Sequence, residues 1–137
     1  MKILGIEHIA IAVKNLDKSS FFWKHILNIS HVSNEVVSDQ GVNLDIYDTG
    51  KGKVELLEEL YPDSPITRFL QKNGAGIHHV CFEVDNIDKA IIELRDNNIQ
   101  LIGENYTIGA EGYKVIFIHP KSADGVLVEL AEKPYDT

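Results

Sequence analysis

A chain of 137 residues with 44% hydrophobic and 25% charged side chains can bury one real core and is too apolar to be disordered. Its formal charge of −8 excludes a general nucleic-acid surface, which needs a basic field, and any anionic ligand would require a local basic patch. The lone cysteine, Cys81, excludes an intramolecular disulfide framework; with no signal-like start and no apolar run near ~18 residues, the chain reads as a cytoplasmic protein.

Taken in order, Ile6 to Val13 is an apolar, β-branched run and predicts a strand covered on both faces. Side chains alternate along a strand, so His8 shares a face with Ile6, Ala10 and Ala12, and the small alanines leave room beside it. Asp17 is the expected N-cap of a helix running to about Leu27, with Phe21, Phe22, Ile26 and Leu27 as its buried stripe and Asn28 in the left-handed position that ends it. His31 to Val37, Val42 to Tyr47 and Lys53 to Leu57 predict three strands, separated by turns at Asp39-Gln40-Gly41 and Asp48 to Gly52. Ser64 and Pro65 suit the N-cap and first position of a connecting helix with Ile66, Phe69 and Leu70 inward and Gly74 at its end. The plan then repeats. Ile77 to Val84 predicts a strand. A helix capped by Asp88 follows, running to about Asn97 with Ala90, Ile91 and Leu94 inward. Strands are expected at Gln100 to Ile102, Lys114 to Ile118 and Val126 to Ala131. The polar tail from Glu132 is expected to fray.

The repetition is visible in the residues themselves. Gly5-Ile6-Glu7-His8-Ile9-Ala10 recurs as Gly76-Ile77-His78-His79-Val80-Cys81, an offset of 71 that persists without a gap to Lys18 and Lys89. Val54-Glu55-Leu56-Leu57 recurs as Val128-Glu129-Leu130-Ala131 at an offset of 74. Each half therefore offers one histidine and one glutamate on apolar strands. The expected fold class is α+β: one domain over 1–137, built from two tandem βαβββ modules (about 1–60 and 75–131) joined by a short helix, with a cupped mixed sheet and the helices outside.

A single strand histidine is more often a core residue satisfied by a hydrogen bond than a ligand. Here two histidines fall at one register of two related strands, and two glutamates sit within apolar strands where an unpaired carboxylate is costly. If the sheet had one solvated face, the glutamates would simply point outward; the fourfold coincidence favours His8, Glu55, His79 and Glu129 as ligands of a divalent metal with oxygen and nitrogen preference. His78 lies on the opposite face from His79 and lacks the alignment with His8. His25 and His31 have no repeat partner and read as surface or helix-end residues. Cys81, two residues from His79, reads as a small buried hydrophobe. Lys121 is a candidate contact for an anionic group, against a plain exposed lysine.

Several runs carry a more specific signal: Val54-Glu55-Leu56-Leu57-Glu58, Asp63-Ser64-Pro65-Ile66, Gly76-Ile77-His78-His79, and Phe117-Ile118-His119-Pro120-Lys121-Ser122 leading to Gly125-Val126-Leu127-Val128-Glu129-Leu130. Over nearly the whole chain the sequence resembles the vicinal oxygen chelate (glyoxalase/bleomycin-resistance/dioxygenase) superfamily and, within it, the methylmalonyl-CoA epimerases. The resemblance implies a paired βαβββ fold, a homodimer, and a divalent ion held by His8, Glu55, His79 and Glu129, cobalt first, with manganese, magnesium, zinc or nickel as stand-ins. The implied substrate is methylmalonyl-CoA, whose carboxylate and thioester carbonyl can chelate one metal that stabilises the enolate formed on loss of the C2 proton. Inversion at C2 needs acid–base groups on two sides of that carbon. One departure stands out. Some members place a glutamate base three residues after the glycine matching Gly41, where this chain has Leu44, and carry Gln where it has Glu55. Glu55 and Glu129 are therefore expected to act both as ligands and as proton carriers. A glyoxalase I-type isomerase of a glutathione hemithioacetal and a non-catalytic small-molecule binder are the competing readings.

Overall fold

The computed structural model describes residues 1–135. The chain divides into two compact units, one made of His8–His78 and the other of Met1–Glu7 with the chain from His79 on. In sequence order the first module is β1 (Ile3–Ala12), α1 (Leu16–Ser20), β2 (Ser30–Val37), β3 (Val42–Asp48) and β4 (Lys53–Glu59). After α2 (Pro65–Asn73) come β5 (Gly76–Val84), α3 (Ile87–Asp96), β6 (Leu101–Ile108), β7 (Lys114–Ile118) and β8 (Val128–Glu132). The order βαβββ is thus met twice. In the first module β2, β3 and β4 run antiparallel to their neighbours and β1 joins β4 in parallel; in the second β6, β7 and β8 are antiparallel and β5 joins β8 in parallel. The strands are therefore mixed, as the α+β reading requires.

Both module helices begin in the same way, and not where expected. The caps are Asn15 and Asn86, whose side-chain oxygens accept from the Lys18 and Lys89 N–H groups at 2.9 Å. An asparagine oxygen three residues ahead reaches an orphan donor of the first turn, while Asp17 and Asp88 already lie inside the helix. A second orphan donor is met from the following strands: Leu16 N–H bonds Glu58 Oε2 and Ile87 N–H bonds Glu132 Oε1, each at 2.8 Å. Glu132 is therefore pinned rather than frayed; Asp136 and Thr137 of the expected loose tail lie outside the described residues.

The first helix also departs from a plain amphipathic reading. After Ser20 it widens into a π-helical stretch, Phe21–Ile26, with Leu27 N–H bonded to Phe22 C=O at 2.9 Å. Widening rotates the side chains away from the 3.6-residue pattern. Phe21, Phe22, Ile26 and Leu27 are exposed, while Leu16 and Trp23 pack on Val13, Tyr47 and Leu56. Asn28 takes the left-handed conformation as expected, with φ 58°. The expectation of a strand covered on both faces fails along its first half: on the His8 face Ala10 and Ala12 are fully buried but Ile6 is 56% exposed, and on the other face Ile9 is 38% exposed.

The second module packs α3 through Ile87, Ala90 and Ile91 against Val84, Ile116, Ile118 and Leu130. Helix α2 carries the anticipated cap: Ser64 and Thr67 form a reciprocal capping box, Pro65 opens the helix, and Gly74 closes it at φ 75°. Strand β8 starts two residues later than predicted, because the N–H groups of Gly125 and Val126 turn back to Pro120 and Ala123 carbonyls at 2.9 Å. Strand β6 is longer than predicted and is interrupted by an irregularity between Ile102 and Thr107.

Candidate functional site

In the first module, register decides which side chains share a face. Ala10 lies across from Glu55 on the parallel β1/β4 pair, and Ile46 lies across from Glu55 on the antiparallel β3/β4 pair. His8, two residues before Ala10, therefore looks out on the Glu55 side. His8 Nδ1 stands 3.1 Å from Glu55 Oε2, and the two residues are only 5% and 4% exposed. The fully buried alanines at 10 and 12 are what let an imidazole and a carboxylate occupy this face without crowding.

The second module repeats the construction. Cys81 lies across from Glu129 on the parallel β5/β8 pair, and His79 sits two residues before Cys81. His79 Nε2 is 3.1 Å from Glu129 Oε1, at 3% and 4% exposure. The His79 and Phe117 rings pack at right angles with centroids 5.2 Å apart, which holds the imidazole from one side. Cys81 is a buried packing residue among Tyr113, Val115 and Ala131, as its size suggested. Both glutamates are inside, so the outward-pointing alternative is removed.

A buried carboxylate without a partner is costly, and each of these has an imidazole at hydrogen-bond distance. Each pair offers a nitrogen and a carboxylate oxygen, a combination able to hold a divalent ion.

The remaining residues sort as follows. His78 faces away from His79 and rests its ring on Phe69 at 4.9 Å. Leu44 is buried on the Glu55 face, opposite Leu57. Lys121 is exposed on a short turn whose N–H donates to His119 Nδ1 at 3.0 Å. His25 is exposed.

His31 is exposed, as the sequence suggested, but it also has a partner that the sequence did not show. Its Nε2 lies 3.2 Å from Asp45 Oδ1, and Asn34 Nδ2 donates to the same oxygen at 3.0 Å. Asp45 belongs to the opposite face of β3 from Leu44 and Ile46, and His31 and Asn34 reach it from the neighbouring strand β2. Tyr47 lies on that face too, and burial, reinforced by the nearby Asp45 charge, raises its hydroxyl above the usual phenol range. The available signal was the alternation Asn43, Asp45, Tyr47 on a strand face that a helix should cover with apolar residues.

Residues 7–117 match the family described as the Glyoxalase/Bleomycin resistance protein/Dioxygenase superfamily. The human mitochondrial methylmalonyl-CoA epimerase is 47% identical over 129 residues, spanning 93% of this chain and 73% of that protein. A crystal structure of methylmalonyl-CoA epimerase from Mycobacterium tuberculosis aligns with TM-score 0.93 at 31% identity, over 97% of this chain and 90% of that one. A methylmalonyl-CoA epimerase solved in complex with methylmalonyl-CoA and NH4+ aligns with TM-score 0.91 at 30% identity, over 96% of both chains. Two βαβββ modules, each with a buried His–Glu pair, and matches along nearly the full length lead to one assignment: the chain belongs to the glyoxalase/bleomycin resistance protein/dioxygenase superfamily.

Proposed function

We propose that the protein is a methylmalonyl-CoA epimerase, and that His8, Glu55, His79 and Glu129 together form the ligand set of one divalent ion. The observation that carries this reading is the repeated buried pair: an imidazole and a carboxylate, 3.1 Å apart, at corresponding strand positions in both modules. Two imidazoles and two carboxylates fit a borderline divalent ion, cobalt first, and manganese, magnesium, zinc or nickel after it. When bound, that ion supplies Lewis acidity that lowers the cost of removing a proton next to a thioester carbonyl.

The chain's own residues supply the proton chemistry. Leu44 is buried and apolar, so the third strand of the first module brings no base on the Glu55 face. Glu55 and Glu129 are the remaining carboxylates of the set, and each is assigned a proton at C2, one on either side. The relatives named above act on methylmalonyl-CoA, which makes the glyoxalase-type and non-catalytic alternatives the weaker readings. The protein is read as a cytoplasmic homodimer.

Wash-in of deuterium tests the proposal. Each pure epimer is incubated in heavy water with the cobalt-loaded protein, and C2 exchange is followed by mass spectrometry. Exchange accompanied by interconversion is expected, with loss on chelation. Absence of both in the loaded protein would remove the epimerase reading.

A further inference from the structure

The face of β3 opposite Leu44 and Ile46 carries a second polar constellation that the epimerase chemistry does not use. It borders a cavity of about 470 Å³ between α1, its π-helical extension and strands β2 and β3. That volume falls within the range of small-molecule sites. The cavity is built rather than incidental, in two respects.

A bulge in β2 between His31 and Ser33 shifts its register against β3, so that His31 pairs with Tyr47 and Asn34 with Asp45. Residues 31 and 34 would otherwise point to opposite faces; the extra residue turns both toward the cavity. Both then converge on one oxygen, Asp45 Oδ1, at 3.2 and 3.0 Å. Asn34 also donates to Asn43 Oδ1 at 3.0 Å, which fixes the amide. Asp45 is thus oriented from one side, and its Oδ2 accepts no hydrogen bond among the described residues.

The second respect is Tyr47. It lines the cavity, its residue is fully buried, and its hydroxyl has no hydrogen-bond partner among the described residues. An unpartnered buried hydroxyl costs on the order of 1–3 kcal/mol. A guest that hydrogen-bonds it would recover that loss.

We propose that this cavity binds a small organic cation, a protonated amine, between the Asp45 carboxylate and the Tyr47 hydroxyl. Charge favours that class: Asp17, Asp45 and Glu58 line the cavity against one lysine, Lys24, with His25 and His31 as the titratable neighbours. His31 and Asn34 both direct donors at Asp45, and Glu58 takes the Leu16 N–H at 2.8 Å, so each carboxylate is held in place with acceptor capacity left over. That spare acceptor capacity, with the excess of carboxylates over lysine, favours a donor-rich guest. A bare divalent ion fits poorly, because such ions require several oxygens and only Asp45 offers an inward-held carboxylate.

The test uses the full-length protein with 1,4-diaminobutane as the probe, and 1,4-butanediol and succinate as the neutral and anionic counterparts. Saturable amide shifts confined to α1, β2 and β3 are expected for the diamine, at least about tenfold stronger than for the diol, with none for succinate. Asp45→Asn should weaken the diamine by about tenfold or more. Tyr47→Phe, which removes the orphan hydroxyl, should weaken it several-fold without lowering the melting temperature. Absence of saturable shifts, equal response to diol and diamine, or unchanged affinity in both variants would overturn the assignment. If Asp45→Asn fails to fold, Tyr47→Phe decides alone.

Discussion

One atom separates a glutamate that carries protons from one that only binds metal. A carboxamide oxygen can still ligate, but it is a poor proton acceptor. Glu55→Gln should therefore retain metal and lose epimerisation by roughly 10²–10⁴-fold, the usual weight of a general base. If each glutamate serves one side of C2, Glu55→Gln keeps exchange on one epimer and Glu129→Gln on the other. Near-normal turnover in metal-loaded Glu55→Gln would reduce that residue to a ligand. Metal content is checked separately by elemental analysis: His8→Ala, His79→Ala, Glu55→Ala and Glu129→Ala should each abolish tight binding, and His78→Ala should not. Tyr47 gives a different residue-level expectation. Its pKa is raised in the folded state, by burial first and Asp45 second. The folded protein therefore holds this proton more tightly, and the associated stability is complete below about pH 10 and declines as pH rises beyond it. Alkaline denaturation followed in wild type and Tyr47→Phe should show a shallower decline in the variant.

At the scale of elements, the two module helices are anchored by matching devices that the repeat predicts only in part. Asn15 and Asn86 stand at the 71-residue offset, and so do Leu16 and Ile87, whose N–H groups are taken by Glu58 and Glu132. Replacing either asparagine by alanine should cost about 1 kcal/mol, read from urea unfolding. Glu58→Gln should cost less than Glu58→Ala, because the amide oxygen still accepts from Leu16. Equal losses would assign Glu58 a packing role. The correction of both caps has a simple cause. Asparagine and aspartate are equally good caps, and Asn15-Leu16-Asp17 offers both within three residues. Which one closes the turn depends on where the preceding strand releases the chain.

For the whole molecule, several large apolar side chains remain open on the single chain, including Ile3, Leu4, Ile6 and Ile77. A homodimer would cover such residues, and light scattering coupled to size exclusion should report twice the chain mass. Ile6→Asp is the sharper probe; a variant that stays dimeric would place the interface elsewhere. Among the described residues no helix is long and apolar enough to cross a membrane.

The repeat made the modules, the strand alternation and the identities of His8, Glu55, His79 and Glu129 legible in the sequence, because periodicity and burial are local properties of apolar strands. Gly74, Ser64 and Asn28 were legible for the same reason: their backbone or capping chemistry acts within a few residues. Three features were not local. The widening of the first helix at Phe21 exposed a stripe that a 3.6-residue period would bury. The bulge at His31 turned a residue with no repeat partner into the neighbour of Asp45. The pairing of each histidine with its glutamate depends on strands 47 and 50 residues apart meeting in register. Register between distant strands is set by the packing of whole faces, so only the tertiary structure could fix which nitrogen meets which oxygen.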